Sequence, residues 1–574
     1  MKLVKSLLLG SAAGLCAVAG AQAADLPVRK AAPVEYVRVC TAYGAGFFYI
    51  PGTDTCIRVG GRARFEYNYV SAGRAITPGV QSNFAGAGGV TNLANGDVSS
   101  MRGLGRLNLD ARTQTAYGTL RAFVRFEIAG ASGGYLNSGT SQRYGTAFPA
   151  LGIDTFGRAQ QQVNVDKAFI QFAGFTAGRA SSFFDFYAHD LEYITATSGS
   201  DIQSTNLLAY TFTFGNGFSA TISAESPLYR RQPIFNNGSF GGLAAIGAAG
   251  SGQFATIGGV FATQVPLTFF PGTNLPSTVG LLDVVQRDRL PDFVGALRYD
   301  AAWGAAQISA ASHELFTGKF FGTQGVTYDI VTGQPTFGAA AAASPIGRAT
   351  PGASYGYAVQ GGLKVNLPQI AAGDVLWLQA AYSEGALSYV GAPARLSGGE
   401  LQTNTLSRFS VNSNDAFVGA DGKLKLTEAW GVTGAFLHYW TPEWRSAVFG
   451  SYSEVSFGKG ARAGAGPANL IVATTANGTA TNAAQTALGL STTLRDYSIS
   501  TVGANLIWSP VRDLDIGVEA VYQRVDLKNG RTGDGNKGFF STGVVGPTGT
   551  VFLPNKTVSF DDVFLTRLRV QRDF

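Results

Sequence analysis

From residue 118 the chain reads GTLRAFVRFEI. Leu120, Ala122, Val124, Phe126 and Ile128 fall on one parity, and Thr119, Arg121, Arg125 and Glu127 on the other. Side chains of a strand alternate between faces, so this period of two predicts a strand with one apolar and one charged side. Phe123 alone breaks the charged parity. The alternation recurs along the chain. CIRVGGRARFEYNY sets Ile57, Val59, Ala63, Phe65 and Tyr67 against Arg58, Arg62, Arg64 and Glu66, and GRLNLDARTQ sets Leu107, Leu109 and Ala111 against Arg106, Asn108, Asp110, Arg112 and Gln114. VNVDKAFIQF, FTAGRAS, NLLAYTFTF, FSATISAE, DFVGALRYD, AAQISAASH, YAVQGGLKVN and DVLWLQAAYS follow, then AWGVTGAFLHYW, RSAVFGSYSEVSF, YSISTVGANLIW, DIGVEAVYQRV and VFLTRLRVQRDF. Each is roughly ten residues, the length a tilted strand needs to cross a hydrocarbon layer.

The connections alternate in length. AYG, AG, GNG, AAWG, TPEW and SPVRDL are turn-like, whereas Gly130 to Gln162, Pro227 to Leu290, Leu315 to Ser354 and Lys459 to Arg495 are long and rich in small and polar residues. Short turns on one side and long loops on the other characterise outer-membrane barrels. About seventeen candidate strands are present, and a barrel with both termini on one side needs an even number. Assigning the weakest, DAFVGADGKLKL at 415–426, to the preceding loop leaves about sixteen. The fold class expected is therefore all-β, a transmembrane antiparallel up-and-down barrel of about sixteen strands. A sheet in lipid must close on itself to pair every backbone group, and a barrel this wide holds water. The charged parity then faces an aqueous bore.

Composition narrows the class. With 76 glycines, 12% aromatic and only 14% charged residues, the chain carries almost no amphipathic-helix pattern, and glycines and prolines interrupt its nearest approach to an apolar helix, Gln232 to Leu282. The opening MKLVKSLLLGSAAGLCAVAGAQAAD has a basic start, an apolar run and an Ala-Gln-Ala cleavage site, so residues 1–23 read as a secretory signal peptide. Leu15 before Cys16 argues against a lipid anchor. Removing Lys2 and Lys5 takes the formal charge from +6 to +4, which gives no case for nucleic-acid binding. Cys40 and Cys56 remain in CTAYGAGFFYIPGTDTC. An even pair at short spacing in an exported chain reads as a disulfide worth roughly 3 kcal/mol; the alternative is two buried thiols.

Taken together, YVRVCTAYGAGFFYIPGTDTCIRVGGRARFEY, DKAFIQFAGFTAGRASSFFDF, LRYDAAWGAAQIS, HYWTPEWRS and the terminal QRDF resemble the trimeric general porins of alphaproteobacteria. The resemblance implies a sixteen-stranded, usually trimeric barrel whose third loop folds inward as a constriction. It also makes the terminal Phe574 look like a barrel-assembly signal. The chain is longer than that family leads one to expect, the surplus lying in the long loops. Leu568, Val570, Arg572 and Phe574 share the outward parity, so Arg572 either snorkels at the interface or marks a slip. The organisation expected is 1–23 signal peptide, 24–55 periplasmic segment with the tied loop, and 56–574 barrel. Within the barrel, 182–204 is the constriction loop, and 227–290, 315–354, 384–426, 459–495 and 526–560 are long extracellular loops.

Charged rings and narrow points set pore selectivity. Arg58, Arg62, Arg64, Arg106, Arg112, Arg121, Arg125 and Arg179 are expected to line the wall, since guanidinium keeps its charge at any relevant pH. The following ASSFFDFYAHDLEYITATSGSD contributes Asp185, Asp190, Glu192 and Asp201 and no basic residue, so these acids are expected to face the arginines across the bore. No metal, cofactor or catalytic role is assigned. His189, His313 and His438 are too scattered for metal ligation, and His313 in ISAASHE reads as a strand-end polar residue rather than part of a hydrolase triad. Gly-rich pieces such as RTGDGNKG lack the strand-to-helix setting of a phosphate loop. The function expected is passive diffusion of small hydrophilic solutes and ions across the outer membrane, with outer-membrane lipids and a homotrimer as partners. A substrate-specific channel or a barrel-anchored adhesin is the alternative.

Overall fold

A computed structural model describes residues 38–71, 99–133, 160–235 except 203 and 233, 255–283 except 258–259 and 272–275, 289–328, 335–337, 341–342, 352–391, 408, 411, 414–418, 423–458, 495–534 except 529, 544–551 except 547–548, and 556–574. The expected signal peptide lies outside them. Two compact units divide at Arg58. In the first, Cys40 and Cys56 are joined by a disulfide and buried with Phe47. Val39 of YVRV bridges Phe48 inside this hairpin.

The second unit is built on sixteen long strands. In chain order β1 is Cys56–Val70 (its first three residues in the first unit), β2 Ser99–Thr115, β3 Gly118–Gly133, β4 Gln160–Phe172, β5 Phe175–Ala180, β6 Thr205–Gly215, β7 Phe218–Glu225 and β8 Asp292–Ala301. β9 is Gly304–Phe316, β10 Ala353–Asn366, β11 Val375–Glu384, β12 Leu424–Tyr439, β13 Trp444–Phe457, β14 Tyr497–Val511, β15 Leu514–Leu527 and β16 Phe560–Asp573. Each pairs antiparallel with its chain neighbour, and β16 returns to β1 with Glu66 opposite Arg569 and Arg62 opposite Asp573. The sheet is closed. No register slip occurs at Arg572, which stays opposite Ala63 and donates to the Arg512 carbonyl at 2.9 Å.

At the seam the Phe574 backbone exchanges hydrogen bonds with Gly61, at 2.8 and 3.1 Å. A Cβ on Gly61 would stand 2.4 Å from the Phe574 ring and 2.5 Å from the Arg106 carbonyl oxygen. The absent side chain is what lets the terminal ring cross β1.

Outward positions are apolar and exposed, among them Phe65, Leu107, Ile128, Ile170, Leu297, Ile308 and Val448. Exposed Tyr117, Trp303, Trp440, Trp444 and Trp508 gather toward the short turns, and Tyr69, Phe293, Tyr355, Trp430 and Tyr522 toward the long connections. Two aromatic belts bracketing an apolar band match the two interfaces of a membrane.

The inner face departs from a uniformly wet wall. Inward residues near the long-loop end of β13–β15, namely Val455, Phe457, Tyr497, Ile499, Val525 and Leu527, pack on Leu387, Val390 and Phe417 from the connection between β11 and β12. Lower down, Phe186, Tyr187 and Ile194 of the segment after β5 pack on Trp377, Phe449 and Leu565. Each such burial contributes about 1.5–3 kcal/mol. One side of the lumen is thus filled by two inward-folded segments, and what remains is lined by charged residues of β1–β4 together with Arg445 of β13, Asp515 of β15 and Arg569 of β16.

The weak candidate at 415–426 divides: Ala416–Val418 forms a short strand that folds back on Leu424–Leu426, the start of β12, and lies parallel to Ile234–Phe235. The long connections after β7 and β9 are not structureless. Val260–Phe269, Pro276–Asp283 and Phe320–Tyr328 pair in a separate sheet, which the sparse alternation of their sequence does not announce.

The seam yields a prediction. Gly61→Val should displace the Phe574 ring and lower the fraction of protein migrating as heat-modifiable barrel on electrophoresis severalfold, while a substitution at the open outward Gly105 should leave it near wild type.

Candidate functional site: a constricted bore

Residues 181–204 leave β5 and run across the interior, because their backbone groups find partners on inward side chains of the far wall. The carbonyl oxygen of Phe184 accepts from Ser309 and Gln360, and the Tyr187 amide donates to Gln379 at 3.1 Å. Farther on, the Tyr193 and Ile194 amides donate to the Glu519 carboxylate at 2.7 and 2.6 Å, and the Ser198 amide donates to Ser451 at 2.8 Å. Asn505 donates to the Leu191 carbonyl at 2.7 Å. Arg567 and Arg569 both donate to the Tyr193 carbonyl, the latter at 2.9 Å, and the Arg569 guanidinium lies 4.0 Å from the Tyr193 ring centroid. Buried Glu66 balances them, 2.7 Å from Arg569 and 3.3 Å from Arg102. A buried cation without such a partner would be prohibitively costly.

The base of this loop is clamped by Arg230, just beyond β7. Its guanidinium donates to Ser182 at 2.7 Å and Ser200 at 2.8 Å, pairs with Asp185 at 3.2 Å, and stacks 3.8 Å over Tyr389. Tyr389 donates to Asp292, which also binds His313 at 2.7 Å. Next to them Asp415 accepts from the Leu387 and Gln232 amides, each at 2.8 Å, and burial pushes its carboxyl up to about 7. Beside this clamp the loop meets the backbone after β11: Gly199 donates to the Val390 carbonyl at 2.7 Å, and a Cβ on Gly391 would fall 1.9 Å from the Gly199 oxygen.

Between loop and wall lies a cavity of about 310 Å³, lined by Arg62, Arg64, Arg106, Arg445 and Arg569 on the wall and by Asp190, Glu192 and Tyr193 on the loop. Of the eight arginines expected on the wall, Arg62, Arg64 and Arg106 come together here. Their partners are Asp573 at 2.5 Å, Gln571 at 2.7 Å and Glu127 at 2.7 Å. Arg112 and Arg121 share Asp110 nearer the short turns, and Arg125 reaches Asn108 at 2.9 Å and Asp166 at 3.3 Å. Phe123, the residue out of step, forms a platform between them: its ring stacks on Phe169 at 5.3 Å, with Arg121 and Arg125 at 5.1 and 5.5 Å.

Two expectations are corrected. Arg179 pairs in register with Ala168 and Asn206, on the face that carries exposed Phe175 and Leu208, so it looks outward and donates to the Val165 carbonyl. The cause is a bulge opposite Arg125 and Phe126 in β4, which shifts the parity that a count from β4 would continue. Arg58 shares the parity of Arg62 and Arg64 in β1, and its guanidinium lies 5.2 Å from the Phe47 ring. The loop acids do not face the arginines as a group either. Asp185 serves the Arg230 clamp; Glu192 accepts from the Ala196 and Thr197 amides at 2.9 and 3.1 Å; Asp201 pairs with His189 at 3.2 Å.

A closed barrel with an internal loop is shared by several channel families, so the sequence match decides. A family model described as the porin subfamily matches residues 25–542. The chain belongs to this porin family. It is an outer-membrane channel. Among characterised relatives, Porin Omp2b of Brucella suis biovar 1 (strain 1330) is 30% identical over 447 residues, 75% of this chain and 97% of the relative. Porin Omp2b of Brucella neotomae is 37% identical over 228 residues, 39% of this chain and 54% of that one. Among solved structures, the outer membrane channel DcaP of Acinetobacter baumannii matches with TM-score 0.46 and 14% identity, over 92% of this chain and 99% of that one.

The porin's loop seat depends on residues the arginine count passed over. Arg567, Arg569 and Gln571 share the inward parity of the last strand, and closure sets that strand beside β1. That parity was the available signal. Arg445, paired with Asp515 at 2.7 Å, follows the TPEW turn and has no comparable mark in sequence, nor has Arg230.

Removing the clamp should free the loop. Arg230→Met leaves Asp185 buried without its cation, a loss of roughly 3–5 kcal/mol to local stability. Single-channel records should then show flickering and closure at lower voltage than in the parent porin.

Proposed function

We propose that ions and small hydrophilic solutes cross this porin by passive diffusion along the β1–β4 side of the lumen, and that the Arg62, Arg64 and Arg106 wall, opposed by the loop, filters them. The supporting observation is the cavity itself: five guanidinium groups meet a loop whose backbone is bonded to β15 and β16 rather than free to leave. Arginines held by acids or amides keep fixed positions, so their field is pre-set and orients dipolar solutes. Apolar solutes gain nothing there and lose hydration.

The remaining parts of the reading follow the family. The exposed apolar band and the aromatic belts fit a lipid surround, and resemblance to trimeric general porins supports a homotrimer. The segment of residues 24–55, with its tied loop, fits a periplasmic location, and Phe574 fits the role of an assembly signal.

Planar-bilayer recording tests the reading. The purified porin should give ohmic channels whose conductance rises with salt, and chloride permeability relative to potassium should fall at least twofold in Arg62→Gln/Arg64→Gln/Arg106→Gln. Arg121→Gln/Arg125→Gln, displaced from the cavity, should change it less. Absence of conductance from a correctly assembled barrel would refute the proposal.

A further inference from the structure

Each loop acid has a different occupation. The carboxylates of Asp185, Glu192 and Asp201 are buried and engaged, by Arg230, by the loop's own amides and by His189 respectively. Asp190 differs. It is exposed and lines the cavity, and its carboxylate makes no hydrogen bond or ion pair among the described residues. Only its backbone is used, the amide donating to the Tyr187 carbonyl at 3.2 Å.

We propose that Asp190 is the one acid of this loop that acts on permeating ions, and that its charge state sets the balance of anion over cation passage. The inference rests on the reading of the cavity as the filter. The physical argument is one of commitment. A carboxylate that is itself buried, against a guanidinium or amide dipoles, is kept from a passing ion by the protein around it. An unmatched one presents a full charge, acting at short range through the limited water of a narrow passage.

The surroundings fix the sign. Arg62 and Arg64 of β1, Arg106 of β2, Arg445 of β13 and Arg569 of β16 line the same cavity, with Asp515 of β15 and the loop's own His189 and Glu192. Lys364 of β10 and Asp201 also act on Asp190 electrostatically. With Asp190 ionised, cations find an attractive station among these guanidinium groups. With it neutral, the cationic wall is unopposed at that point and anions gain. Asp190 is reached by solvent, yet the protein around the cavity partly desolvates its carboxylate; this, aided by Asp201, raises its carboxyl to about 6. The switch therefore falls inside an environmental pH range. Below about 6 the neutral form prevails and anion passage rises; above it the carboxylate restores cations.

Reversal potentials in a potassium chloride gradient between pH 5 and 8 test this on the purified full-length porin. In the wild type, chloride permeability relative to potassium should rise about three- to fivefold as pH falls, with a midpoint near 6. Asp190→Asn should hold the low-pH ratio throughout, and Asp190→Glu should recover a titration. If Asp190→Asn titrates as the wild type does, the proposal is overturned and the titration belongs to another group. Should Asp190→Asn assemble poorly, Asp190→Cys gives a second route, since Cys40 and Cys56 are joined. An anionic thiol reagent should then shift the ratio toward potassium and a cationic one toward chloride; equal effects would overturn the proposal. A wild type that conducts but shows no pH dependence refutes this inference alone, whereas a non-conducting barrel refutes the diffusion reading itself.

Discussion

Backbone pairing in a medium without water governs this molecule. Lipid offers no partner for an amide or a carbonyl, so the strands must hand hydrogen bonds around a complete circuit, and β16 must find β1. The circuit fixes which parity faces out, and with it the location of every charge. Guanidinium groups such as Arg567 and Arg569 sit buried in the wall only because closure brings Glu66 opposite them.

Within that circuit the lumen is divided. Its far side is a hydrophobic core in miniature, in which aromatic and aliphatic residues of β11–β16 are covered by Phe186, Ile194, Leu387 and Phe417. Its near side keeps the charged ladder of β1–β4. The division leaves the charged side of the lumen uncovered and makes the loop a fixed wall rather than a lid, because it is attached by packing and by hydrogen bonds at once. Glu519 receiving two consecutive loop amides is the clearest case of such double attachment.

Period-two alternation carried the barrel. All sixteen long strands lie over segments whose apolar and polar positions alternate, and the short turns carry the expected Gly, Asn and Asp chemistry. The cavity was legible in part. Parity placed Arg62, Arg64 and Arg106 inward, but a bulge in β4 defeated the same count at Arg179. Loop acids cannot be sorted by parity at all, since whether Asp185 is spent on Arg230 or left free depends on a residue 45 positions away in sequence. Inward apolar residues such as Val455 and Phe457 were equally opaque: nothing in a strand tells whether its inner face meets water or a returning loop.

The loop's seat has a consequence for how the barrel is made. Tyr193 is bonded to Glu519 and Arg567, which follow it by 326 and 374 residues. Until β15 and β16 arrive, the Tyr193–Ile194 end of the loop lacks its partners, and those two amides stay in water. Contacts so distant along the chain are slow to form. A partly assembled intermediate is therefore an open, unfinished trough in which the Tyr193 end of the loop has yet to seat.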